Sequence, residues 1–148
     1  MVEYRISQAE ADILMKMEKC RIDDTRYNYP WLKETISIPL KSKDKREEFI
    51  LDIRRGGIEL KGTYQNRARQ VITLVRLDFG GQPHRNPDGM EISGNHLHVY
   101  REGYDDKFAV PVPSEFSHLP DDLWGTLEDF MAYCNIIETP IIDRGLFS

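Results

Sequence analysis

From Lys33 to Val112 the sequence offers one strand signal after another, and no connection between them is long and periodic enough to be a crossover helix. "KETISIPL" alternates Ile36, Ile38 and Leu40, with Pro39 predicting an edge position. "REEFILDIRR" alternates Phe49, Leu51 and Ile53. "RRGGIELKGTY" turns at Gly56-Gly57 and continues through Ile58 and Leu60. "RQVITLVRLDF" is apolar on both faces for much of its length, as a central strand would be. "HLHVYR" and "KFAVPV" follow, joined by the polar turn "EGYDD". Parallel neighbours require a crossover of roughly a dozen residues or more, so these connections predict an antiparallel meander.

A helix is expected on either side of the strands. In "SQAEADILMKMEKC", Ser7 and Glu10 have capping-box spacing, and Ala9, Ile13, Leu14, Met17 and Cys20 form one apolar stripe. "RIDDTRYNYP" then reads as a polar connection closed by Pro30. In "TLEDFMAYCNI", Leu127, Phe130, Met131 and Cys134 have helical spacing, and Asp121, Asp122, Glu128 and Asp129 place negative charge about the helix start. The tail "ETPIIDRGLFS" has no clear period. The fold class expected is α+β: a single domain over residues 1–148, with one curved antiparallel sheet of about six strands and the two terminal helices packed on one face. At 148 residues the chain can bury a sizeable core without metal or disulfide. Cys20 and Cys134, each on a helical stripe, read as buried reduced thiols.

The net charge of −5 is unevenly spread. Residues 41–76 carry ten Lys/Arg against five Asp/Glu, whereas residues 77–148 carry four against thirteen. A basic middle third could meet phosphate backbones or an acidic partner, or could simply solvate strand faces. Overall acidity argues against strong nonspecific nucleic-acid binding. No secretory signal opens the chain and no apolar run reaches the roughly 18 residues of a membrane span, so a cytoplasmic protein without membrane contact is expected.

Three of the four histidines lie in "PHRNPDGMEISGNHLHVY", Pro83 to Tyr100. Between Phe79 and Asn95 no periodicity is visible, and long structureless connections in compact domains are often functional. "NPDG" is a ready turn, with Pro87 pre-setting φ and Gly89 tolerating a positive value. Beyond it, strand alternation puts His96, His98 and Tyr100 on one side, with Leu97 and Val99 towards the core. The loop holding His84 could drape across that row. If the rings were instead interred among aliphatic neighbours and bonded to main chain, no active centre would remain.

Three readings of this constellation compete. In the leading one the histidines work without metal or other cofactor as general acid and base. The protein would then be a small ribonuclease, as in the toxin of a toxin–antitoxin pair. His96 and His98 would exchange protons with the substrate, His84 would position phosphate or substitute for one of them, and Arg101 and Lys107 would stabilise charge. Arg85, Asn86, Tyr100 and Tyr104 would bind substrate, the tyrosines by stacking a base. Partners would be RNA and an antitoxin; the oligomeric state is left open. In the second, the protein is non-catalytic and binds and inhibits a host nucleic-acid enzyme or defence complex. In the third, the three imidazoles hold a metal ion, with Asp88 the only acid in the loop's turn. His118 reads as a loop residue near a helix start. The glycine pairs lack the strand-to-helix pattern of phosphate loops, and Ser93 resembles no nucleophile elbow.

The block "PHRNPDG…GNHLHVYREGYDDKFAVPVP" resembles an uncharacterised family of small bacterial and prophage proteins, classed as a domain of unknown function. The likeness extends more faintly over the upstream strands and the closing helix. It implies a site at His84, His96 and His98 in a prophage or defence-related setting, and no activity. A helix preceding an antiparallel sheet with His and Arg on its face is also similar, in architecture alone, to the barnase-type and RelE-type ribonuclease toxins.

Overall fold

Ser7 starts the first helix as its spacing predicts. Its Oγ accepts the Glu10 backbone N–H at 3.1 Å and caps α1, Gln8–Lys16. The helix then stops short of Cys20. Met17 leaves helical space (φ −58°, ψ 136°), and Lys19–Arg21 forms strand β1. The stripe shifts accordingly: Ala11 and Leu14 are buried, and Ile13 is exposed. The computed structural model describes residues 5–119 and 121–145. Within them follow β2 (Arg26–Asn28, inside the expected polar connection), β3 (Thr35–Ser42), β4 (Glu48–Arg55), β5 (Gly62–Ala68) and β6 (Ile72–Phe79). Next come β7 (His84–Arg85), β8 (Glu91–Ile92), β9 (His96–Val99), β10 (Ala109–Pro111), α2 (Leu123–Tyr133), β11 (Ile136–Glu138) and β12 (Ile141–Asp143).

The main sheet has eight strands rather than about six, in the order β10-β9-β6-β5-β4-β3-β1-β11. The meander holds from β3 to β6, and all its neighbours are antiparallel except β1 and β11, which pair in parallel. That exception respects the crossover requirement, because nearly the whole chain, α2 included, lies between those two strands. Their three residues each are too few to show a period. β2 and β12 add a small parallel ladder, and β7 and β8 a two-residue hairpin.

Two local expectations change. Pro39 does not mark an edge strand, since β3 lies between β4 and β1. However, β1 covers only Leu40 to Ser42, so Pro39 stands just beyond the stretch where a second N–H is needed. The strand after Gly56-Gly57 begins at Gly62, and Ile58 and Leu60 are exposed in the connection. The buried side of β5 is Gly62, Tyr64, Asn66 and Ala68, which shows no apolar alternation to read.

The register gives the sheet two unlike faces. Ile53, Tyr64, Leu77 and Leu97 stand opposite one another on the core side. They share one buried cluster with Leu14 of α1 and Leu127 and Phe130 of α2. The alternate positions are polar and form two rows across the strands. One is Thr35, Arg54, Thr63, Asp78, His96; the other is Ser37, Asp52, Gln65, Arg76, His98.

Lys19 links both helices to the sheet. It is fully buried, and its Nζ donates to the carbonyls of Met15 (3.0 Å), Met17 (3.0 Å) and Cys134 (2.7 Å). The ammonium also lies 4.8 Å above the Phe49 ring. It therefore satisfies carbonyls at the C-terminal ends of α1 and α2 that would otherwise be buried without a donor. Cys134, beside it, is buried, and burial pushes its thiol up to about 12. Cys20 is a half-buried free thiol on β1, not a helical residue. Replacing Lys19 by Met keeps the volume and removes the three donors. Lys19→Met is expected to lose about 2–4 kcal/mol in urea unfolding. A loss within about 0.5 kcal/mol, the range of an ordinary surface change, would contradict this role.

Candidate metal centre

The three clustered histidines meet. β9 presents His96 and His98 on the polar face, and β7 lays His84 over them, with ring centroids 4.5 Å (His84–His98), 5.0 Å (His96–His98) and 5.6 Å (His84–His96) apart. The loop is held down by its own sequence. Gly80 has φ +72° and a Cβ there would lie 2.2 Å from the Leu60 carbonyl oxygen, so only glycine leaves β6 in this direction. Its N–H donates to Asn95 Oδ1 at 2.9 Å, joining the start of the loop to its end. The "NPDG" turn forms, with Gly89 N–H donating to Asn86 O at 2.8 Å and Gly89 at φ +91°. The Asn86 amide then bonds both backbone groups of Ala109, at 2.8 and 2.9 Å, and clamps the hairpin to β10.

Each imidazole donates one ring N–H to a main-chain carbonyl: His84 Nε2 to Lys107 (2.8 Å), His96 Nδ1 to Gly94 (3.0 Å) and His98 Nδ1 to Asp106 (2.7 Å). A carbonyl only accepts, so these nitrogens carry the protons in the neutral rings. The lone pairs are left on His84 Nδ1, His96 Nε2 and His98 Nε2. One ring nitrogen from each histidine lies within 4.8 Å of the others. This is the arrangement of metal-binding histidines, whose second nitrogen is oriented by a carbonyl or carboxylate. His96 and His98 are only 4% and 1% exposed, as structural rings would also be. Their surroundings are not aliphatic, however. They line an open cleft of about 330 Å³ together with His84, Arg54, Lys61, Thr63, Arg76 and Asp78.

Asp78 was not among the residues expected here. Its Oδ2 lies 3.4 Å from His96 Nε2 and 3.3 Å from His98 Nε2. Its carboxylate is fixed from the other side by Thr63 Oγ1 (3.1 Å) and Arg76 Nε (3.1 Å), and Arg76 also bonds Asp106 at 2.6 Å. Burial works to raise the Asp78 carboxyl. The neighbouring His98 ring and the Arg76 guanidinium outweigh that and hold it at about 2. With the neutral tautomers that the carbonyls select, the carboxylate would face two imidazole lone pairs unless His98 Nε2 takes up a proton, and His98 Nε2 is buried with no hydrogen-bond partner of acceptable geometry. Such a contact is repulsive unless a cation lies in it.

The remaining expected residues lie elsewhere. Arg101 stacks over the Phe108 ring at 4.0 Å, and Tyr104 packs edge-on to the same ring at 5.0 Å. Lys107 offers the trio its backbone carbonyl, and its side chain is not part of the cleft wall. Arg85 is exposed and lies 4.0 Å from Glu91; Asn86 is the clamp already described. Tyr100 falls just past β9, where strand alternation ends. Its hydroxyl donates to Ile6 O (2.6 Å) and accepts from Ile6 N–H (3.1 Å), so it ties the N-terminal segment to the core instead of facing the cleft. His118 pairs with Asp129 at 2.7 Å, away from the trio. The cleft residues missed by the strand reading, Arg76 and Asp78, have a local signal: two charges at alternate positions in a segment otherwise taken as apolar on both faces.

A family model described as "Family of unknown function (DUF6978)" matches residues 6–136. Neither the search of curated proteins nor that of solved structures returned a match.

A carboxyl depressed on folding adds stability that is complete above its unfolded value, ~3.9, and is lost as pH falls through the folded one. Wild type is therefore expected to exceed Asp78→Asn by about 1–2 kcal/mol at pH 5–7 in urea unfolding, with the gap closing as pH falls from about 4 to 2. A gap that is constant with pH would contradict the ionised, tethered state of Asp78.

Proposed function

The chain belongs to the DUF6978 family of unknown function, and we propose that it is a divalent-metal protein whose centre acts on an anionic substrate in the adjoining cleft. The observation that carries the reading is the histidine cluster, with one ring nitrogen each of His84, His96 and His98 within 4.8 Å of the others and Asp78 Oδ2 at 3.4 and 3.3 Å from the Nε2 atoms of His96 and His98. Imidazole with carboxylate suits zinc, manganese or ferrous iron. His84, His96 and His98 would be the protein ligands, with Asp78 beside the last two and a coordination position left open. Lys107, Gly94 and Asp106 orient the rings through their carbonyls, and Thr63 and Arg76 orient the acid. A metal held there would supply Lewis-acid polarisation of a phosphoryl or carbonyl oxygen and a bound water acidic enough to act near neutral pH. The unpaired cations of the wall, Arg54 and Lys61, favour a substrate that carries negative charge.

One observation favours a metal-free alternative. A proton on His98 Nε2 would also fill the space before Asp78 and leave an imidazolium–carboxylate pair able to act as an acid. The ribonuclease reading, with or without a toxin–antitoxin setting, takes this form. No feature of the cleft favours the inhibitor reading over these two.

Zinc titrated into chelator-treated protein is expected to bind one ion per chain, with His98→Ala and Asp78→Ala each weakening affinity at least tenfold. The absence of saturable binding of zinc, manganese and iron would end the metal reading. Hydrolysis of an aryl phosphate ester is expected to disappear with chelator and return with metal. Cleavage of mixed RNA that survives chelator but not His98→Ala would establish the metal-free alternative in its place.

A further inference from the structure

The arginines of the polar face are not equivalent. Arg67 is held by Asp52 through two bonds, at 2.7 and 3.0 Å, and Arg76 by Asp78 and Asp106. Arg54, on β4 and so one strand beyond Arg67, is exposed and forms no ion pair among the described residues, and the same is true of Lys61. Both line the wall of the histidine cleft. Arg54 also lines a second groove of about 570 Å³, which shares Thr63, Arg76 and Asp78 with the first and runs on over Thr35, Gln65, Asp52 and Arg67. The two hollows are thus one continuous trough that crosses β6, β5, β4 and β3. Arg54 stands two strands from Asp78 in the same cross-strand row, about 10 Å at the strand spacing of ~4.8 Å.

The chemistry along the trough changes with position. At the histidine end are two unneutralised cations. The rest of the wall offers the hydroxyls of Thr35 and Thr63 and the Gln65 amide, with the Arg67–Asp52 and Arg76–Asp78 pairs already internally neutral. Among the described residues the only non-histidine aromatic ring in either wall is Phe79, which is buried against Tyr64 in the core. A nucleobase would find no open aromatic platform of the kind that single-strand binders use.

We propose that the trough binds a phosphate ester of a sugar, with Arg54 and Lys61 gripping the phosphate beside the metal centre and the hydroxylated remainder lying over Thr63, Gln65 and Thr35. This deepens the metal reading, on which it rests for catalysis but not for binding. Guanidinium and ammonium are the expected phosphate donors, and an arginine free of a carboxylate has its N–H fork available for two phosphate oxygens. Thr63 and Gln65 are bonded to Asp78, Asp52 and Thr73, which leaves the second amide N–H and the spare oxygen lone pairs, together with the Thr35 hydroxyl, for sugar hydroxyls.

The test is calorimetric titration of the full chain, metal-free and zinc-loaded, with three probes: inorganic phosphate, ribose 5-phosphate and ribose. Ribose 5-phosphate is expected to bind at least tenfold more tightly than inorganic phosphate, and ribose alone not detectably. Arg54→Gln and Lys61→Gln, both at exposed positions, are each expected to weaken ribose 5-phosphate binding about tenfold. Zinc affinity should stay within twofold and the thermal unfolding midpoint unchanged. Thr35→Val with Gln65→Leu is expected to bring ribose 5-phosphate down to the affinity of inorganic phosphate. Equal binding of the two phosphates by wild type, or unchanged phosphate binding in the Arg54→Gln, Lys61→Gln double variant, overturns the proposal. A protein that binds the sugar phosphate but no metal would keep this inference and remove the catalytic reading. A protein that binds zinc but no phosphate would do the reverse.

Discussion

The pairing register between β6 and β9 decides what the polar face can be. Leu77 faces Leu97, Asp78 faces His96 and Arg76 faces His98. A slip of one residue would send both imidazoles into the core and Leu97 into the cleft, and would part the carboxylate from the rings. The register is strongly specified because Leu77 and Leu97 are fully buried. The metal reading thus depends on an apolar contact on the opposite side of the sheet. The aliphatic pair sets the geometry, and the polar residues between them use it.

The loop from Gly80 to Asn95 is integrated into the fold in the same way. Its exit from β6 is set by the glycine against the Leu60 carbonyl, its base by the Asn95 side chain, and its tip by the "NPDG" turn. The Asn86 amide does for β10 what a further backbone pair would do, bonding the N–H and C=O of Ala109. His84 is therefore delivered by a short hairpin with little freedom. The carbonyl it bonds, that of Lys107, belongs to the turn that also supplies the Asp106 carbonyl to His98. Ring orientations across the trio are coupled through one segment of main chain, which is the rigidity a metal site requires of its outer shell.

Charge counting alone misjudges this surface. The middle third is basic in sequence, yet much of that charge is neutralised in place: Arg67 by Asp52, Arg76 by two aspartates, and Arg69 by Glu10 and Glu47. Several of these acids come from other parts of the chain. What reaches the cleft as unbalanced charge is Arg54 and Lys61, so the electrostatic signal is local and strong where the sequence average made it broad and weak.

Periodicity made much of the fold legible. The N-cap at Ser7, the long alternating strands, their antiparallel order and the shared face of His96 and His98 follow from spacings of two and three residues, which the backbone imposes locally, whereas His84 joins them through a hairpin held by the long-range Asn86–Ala109 bonds. The β1–β11 edge was not legible, because three residues carry no period and parallel partners far apart in sequence leave no mark on either one. Nor was the end of α1, which turns on a buried lysine reaching carbonyls of two helices, nor the Tyr100 hydroxyl bonded to Ile6. Asp78 was the costliest omission: it belongs to a different strand, and only cross-strand pairing brings its carboxylate to the lone pairs. The sequence alone determined which side chains share a face. Tertiary structure alone decided which faces meet, because register and long-range hydrogen bonds depend on the packing of the whole sheet.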